Sequence, residues 1–122
     1  MRKKDFTELK VWQAASQIFD MAIQDTKTFP KNRISYFLAD QWLRAVGSIS
    51  ANIAEGHGRG GDRELQRSLI IARGEISESR DWLYKIVKLE YISSDRCQEY
   101  EGKYSYLSKM ITNFIGEIRK RL

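Results

Sequence analysis

The residue types that could do chemistry gather in one short stretch, Glu55-Gly56-His57-Gly58-Arg59-Gly60-Gly61. A glycine-rich run that opens a helix can cradle phosphate, because the first backbone N–H groups of a helix are unpaired and sit at its positive dipole end. This run lacks the Gly-Lys-Ser/Thr ending of a P-loop and follows no strand, so neither of the familiar phosphate-loop contexts applies. It reads as a flexible helix–helix connection, with Gly56 suited to the left-handed residue that ends a helix. His57 is the only histidine and Cys97 the only cysteine. A zinc centre needs clustered ligands, and an up-down bundle puts these two residues at opposite poles. No nucleophile stands near His57 for it to activate, so it reads as a solvated loop histidine. Glu55 falls at the C-terminal end of a helix, where the dipole disfavours an anion. Arg44, Arg59 and Arg73 are its candidate partners in a structural ion pair. The expectation is a non-enzymatic protein with no metal and no cofactor.

These residues must be held by helices. The chain has 122 residues, 42% of them hydrophobic, and a single proline, Pro30. That size suits one domain over residues 1–122, and the scarcity of proline favours long helices. There is no apolar run of the ~18 residues that span a bilayer. The basic start, Met1 to Asp5, leads into no apolar segment and so is not a secretory signal. The lone cysteine suits a reducing compartment, and a cytoplasmic location is expected.

Four amphipathic segments follow one another. The first begins near Asp5, which with Glu8 resembles a capping box, Thr7 being a rival cap. Leu9, Trp12, Ala15, Phe19 and Ala22 then share a face, and Pro30 ends the segment. The second runs from about Ile34 to Glu55, with Tyr36, Ala39, Leu43, Val46, Ser50 and Ile53 on its seam. Its many small residues, among them Gly47, Ser48, Ala51 and Ala54, allow a close neighbour. Asp62 is the expected cap of the third, which runs to about Leu89. Its seam of Leu65, Leu69, Ala72, Ile76, Ser79, Leu83 and Ile86 is the most regular heptad pattern in the chain. Ser93-Ser94-Asp95 caps the fourth, whose face carries Tyr100, Tyr104, Leu107, Ile111, Phe114 and Ile118. Helices of similar length with short breaks predict an all-α, antiparallel up-down-up-down four-helix bundle. A three-helix or helical-hairpin dimer is the alternative.

Threading the chain this way collects Arg2, Lys3, Lys4, Arg59, Arg63, Arg119, Lys120 and Arg121 at one pole, against the nearby acids Asp5, Glu55, Asp62, Glu64 and Glu117. With a net charge of +5, such a pole is an electrostatic footprint for nucleic-acid phosphates. Solubilising charge is the plainer reading. No base-reading motif is present, so contacts would be to the backbone. On the third helix Glu64, Glu75 and Glu78 lie on one flank, and Arg73 and Arg80 on the other. Those flanks can pair with the second and fourth helices, or with the opposite flank of a neighbouring copy in a ring. Trp12, Trp42, Trp82 and Tyr84 supply aromatic area beyond what the seams require, which favours a subunit interface.

Three runs carry a family resemblance. Asp5-Phe6 with Leu9 to Ala14 forms an opening. Gln41 to Arg59, centred on Asn52-Ile53-Ala54-Glu55-Gly56, forms a central signature, and Ile71 to Glu78 a third segment. Over nearly its whole length the chain resembles the small bacterial four-helix bundle proteins related to the 23S ribosomal RNA intervening-sequence protein. The resemblance implies a four-helix protomer that assembles into a ring, commonly a pentamer, with Asn52, Glu55 and Gly56 as structural signature positions. It also implies a distant relation to the accessory variability determinant of diversity-generating retroelements, a basic pentamer that binds nucleic acid and a reverse transcriptase. Where the family usually carries proline, this chain has Ser50, which leaves the second helix free to run straighter. The leading expectation is an oligomeric protein binding RNA or DNA through the basic pole. The alternative is an assembly or adaptor module whose partner is another protein.

Overall fold

The computed structural model describes residues 3–122. Four helices occur: α1 (Lys10–Thr26), α2 (Arg33–Arg59), α3 (Asp62–Lys88) and α4 (Ser94–Arg119). No strand occurs among the described residues. The capping box forms, with Thr7 N donating to Asp5 Oδ2 (3.2 Å) and Asp5 N to Glu8 Oε2 (2.7 Å). It caps a separate 3-10 turn, Phe6–Glu8, rather than α1. Extended backbone at Leu9 divides that turn from α1.

Asn32 starts α2, its side chain accepting from Ser35 N at 2.9 Å. The helix then runs without a break through the expected connection to Arg59. The expectation that Gly56 terminates it is therefore corrected. The positive-φ residues of this connection are Gly60 (75°) and Gly61 (96°), and these two alone make the turn. Gly56 is buried inside α2 for a different reason. A Cβ there would lie 2.3 Å from Ser68 Cβ on α3, so the two backbones approach as only glycine permits. Ser50 sits within the unbroken helix, its hydroxyl donating to Gly47 O (3.3 Å).

The seam of α2 is also corrected. Ser35, Leu38, Trp42, Val46, Ile49 and Ile53 are buried, whereas Tyr36 is 57% exposed. Apolar residues occupy two adjoining faces of this helix, and the large indole of Trp42 decides which one turns inward. Trp42 is fully buried, so it is core and not spare interface area. The seam of α3 is buried as expected at all seven positions. Gly61 rather than Asp62 is its N-cap, and Asp62 occupies the first turn. Ser93 caps α4, accepting from Arg96 N at 3.1 Å. Its buried face matches expectation except that Ile115 takes the place of Phe114.

α1 and α3 each pack between α2 and α4, as an up-down-up-down bundle requires. Polar groups fix the register of the core. Tyr104 OH accepts from Trp42 Nε1 (3.3 Å) and from Ser79 Oγ (2.5 Å), joining α2, α3 and α4 at one buried point. Asp25, near the end of α1, accepts from Arg96 Nε (2.9 Å) and Tyr100 OH (2.6 Å) on α4. Burial, reinforced by that hydrogen bond to Asp25, pushes the Tyr100 hydroxyl far above the ordinary range.

Candidate nucleic-acid interface at the basic pole

The N-terminal segment, the α2–α3 turn and the end of α4 meet at one pole. Lys3 Nζ donates to His57 O (2.8 Å), and His57 Nε2 lies 2.5 Å from Lys4 O. A carbonyl only accepts, so Nε2 carries the proton in this contact. His57 is therefore not a free loop residue. It sits in the last turn of α2 and clips the N-terminal segment onto that helix. A cleft of about 420 Å³ lies here, lined by Lys3, Lys4, Asp5, Phe6, His57 and Gly58. The Thr7 hydroxyl holds the Asp5 carboxyl below the usual carboxylate range.

Of the expected pole cations, several already have partners. Arg59 pairs with Glu55 at 3.7 Å and Arg121 with Asp62 at 3.4 Å. Lys3 is engaged with the His57 carbonyl. Lys4, Arg63, Arg119 and Lys120 have no carboxylate partner among the described residues. Arg2 lies outside the described residues. Gly60 and Gly61 are exposed between these cations, so backbone can approach a ligand closely there.

Each signature residue makes a contact within the protomer. Asn52 Nδ2 donates to Ser48 O at 2.7 Å, one turn back. Glu55 finds Arg59, whereas Arg44 and Arg73 are engaged elsewhere. Gly56 makes the close contact with Ser68. Three flank residues of α3, Glu78, Arg80 and Arg73, are engaged within the protomer. Arg44 meets Glu78 at 2.7 Å, Arg80 grips Glu101 on α4 at 2.9 Å, and Arg73 donates to Thr112 Oγ1 at 3.2 Å. Glu75 has one carboxylate oxygen buried without a partner, and that burial raises its pKa.

Two features were not anticipated. Phe37 on α2 and Trp82 on α3 form an edge-to-face pair 5.8 Å apart. Phe37 is 54% exposed and Ile34, one turn before it, 61%. A spacing of 45 residues between the two rings gives no local signal of their contact. The second feature is a cleft between α3 and α4, taken up below. Among the described residues no cluster of metal-ligating side chains occurs, and no helix is long and apolar enough to cross a membrane. Cys97 is buried, and burial pushes its thiol pKa up, which disfavours the reactive thiolate.

The bundle is similar to a solved structure from Bacteroides thetaiotaomicron, a protein of unknown function from the S23 ribosomal protein family. The TM-score is 0.79 and the identity 22%, over 87% of this chain and 95% of that one. No curated protein matches the chain. The 23S rRNA-intervening sequence protein family matches it over residues 7–113, and the chain belongs to that family.

Proposed function

We propose that this is a non-enzymatic, homo-oligomeric protein that binds RNA or other structured nucleic acid by phosphate contacts at its basic pole. The observation that carries the reading is the set of pole cations with no carboxylate partner, Lys4, Arg63, Arg119 and Lys120, around the exposed Gly60-Gly61 turn. Cations already paired with carboxylates gain little by moving to a phosphate, whereas unpaired ones release condensed counterions from the nucleic acid. The family's name makes ribosomal RNA the first probe. Gel-shift titration at two salt concentrations tests the reading. Salt-sensitive binding that is lost on neutralising Arg63, Arg119 and Lys120 is expected; no binding at low salt overturns it.

The pair of exposed Phe37 and half-buried Trp82 supports the oligomeric part, and equally a second reading, an assembly module that contacts only protein. Exposed aromatic clusters are typical of interface cores. A ring, with the pentamer favoured, is expected in light scattering. A monomer mass at micromolar concentration counts against it.

A further inference from the structure

We infer that the cleft between α3 and α4 is a phosphate-binding site. It lies at the waist of the bundle, on α3 about 16 Å from the pole at 1.5 Å per residue, and does not depend on what the pole binds. Arg73, Ser77 and Arg80 recur at four and three residues on α3. Ser105, Ser108 and Lys109 face them from α4. Short serines line the walls where larger side chains would close the gap, and a space of about 420 Å³ remains. That is within the size range of small-molecule sites. The floor is formed by buried Ile76 and Tyr104, so charge–charge attraction above it is less damped than in open water.

The charge in the cleft is only partly compensated. Arg80 is matched by Glu101, through contacts of 2.9, 3.2 and 2.9 Å. Arg73 is hydrogen-bonded to the neutral Thr112 hydroxyl and has no ion-pair partner among the described residues. Lys109 has no ion-pair partner among the described residues. One forked guanidinium, one ammonium and three hydroxyls thus converge with excess positive charge. A phosphoryl group presents three oxygens and matches this donor set better than a two-oxygen carboxylate does. The space exceeds a bare phosphate, which points to an ester: a nucleotide, or one unit of a nucleic-acid strand.

The test is an NMR titration of the isotope-labelled protein with inorganic phosphate, uridine 5′-monophosphate and an oligouridine of about ten nucleotides. Shifts concentrated at Ser77, Ser105 and Ser108 are expected, with affinity weakened about tenfold or more in both Arg73→Gln and Lys109→Gln. Arg63→Gln with Lys120→Gln, at the pole, should leave the cleft affinity for phosphate and for the mononucleotide unchanged. In that pole variant, mononucleotide binding as tight as the strand's assigns a free nucleotide, and markedly tighter strand binding assigns a backbone phosphate; both place phosphate in the cleft. The inference is overturned if no probe moves the cleft resonances at concentrations up to about 20 mM. It is also overturned if Lys109→Gln binds as well as the parent, or if the pole variant loses as much affinity for the mononucleotide as the cleft variants. Lys109 is exposed and unpaired, so its variant remains folded and informative even if Arg73→Gln does not.

Discussion

Gly56 shows how one missing methyl group can set the distance between two helices. Alanine there gains up to about 1 kcal/mol of helix propensity. Its Cβ, however, would meet Ser68 Cβ at 2.3 Å and Ser68 Oγ at 2.5 Å. Forcing α2 and α3 apart costs more than propensity returns, so Gly56→Ala should destabilise the fold by about 1–3 kcal/mol in thermal or urea unfolding. Ser68→Gly should restore part of the loss, whereas Ser68→Ala, which keeps the clashing carbon, should not. The glycine was visible in the sequence, but its partner was not. A run of four glycines within six residues resembles a terminator, and the contact with Ser68 exists only once two helices have packed. Glu75 poses the opposite problem, a charge placed where burial disfavours it. Its pKa is raised in the fold, so the native state holds the proton more tightly than the unfolded chain. The stabilising effect is present at acid pH and is lost as pH rises through the raised value. Glu75→Gln should therefore stabilise the fold at pH 7, by less than about 1 kcal/mol in thermal unfolding, and change little at pH 3.

At the scale of elements, the difference between α2 and α3 explains what could be read in advance. The seam of α3 is bordered by charged flanks, Glu75 and Glu78 on one side and Arg73 and Arg80 on the other, so only one rotation buries the apolar residues. α2 has apolar or small residues on two adjoining faces. Periodicity alone then leaves its rotation open by about one residue, or 100°. The polar junction at Tyr104 helps settle it, because the hydroxyl takes hydrogen bonds from Trp42 on α2 and Ser79 on α3. Tyr104→Phe keeps the ring and leaves two buried donors without their acceptor. It should cost about 1–3 kcal/mol in chemical unfolding. Adding Ser79→Ala to Tyr104→Phe should cost less than the sum of the two single changes, since the first substitution has already broken the bond that the second removes.

For the whole molecule, the up-down threading alone was enough to gather the basic residues at one pole, because it depends only on the number and order of helices. It did not reveal which of those cations were already engaged. Arg59, Arg121 and Lys3 have partners supplied by the folded backbone and by Glu55 and Asp62. The distinction has a measurable consequence. If only Lys4, Arg63, Arg119 and Lys120 meet phosphates of single-stranded RNA, each protomer engaged should contribute a slope of about −3 to log K against log salt. Were all seven described pole cations engaged, the slope would be about −5 per protomer. Replacing Arg63 and Lys120 by Gln should halve the first value to about −1.4 and leave a weakened but still salt-dependent complex. Replacing Arg59 and Arg121 should change the slope little. Because the slope adds over protomers in contact with one strand, dividing the measured value by about 3 gives the number of subunits that touch the nucleic acid. That number must not exceed the subunit count from light scattering. A larger quotient would mean that cations beyond these four, such as Arg73 and Lys109 at the waist, also meet the strand.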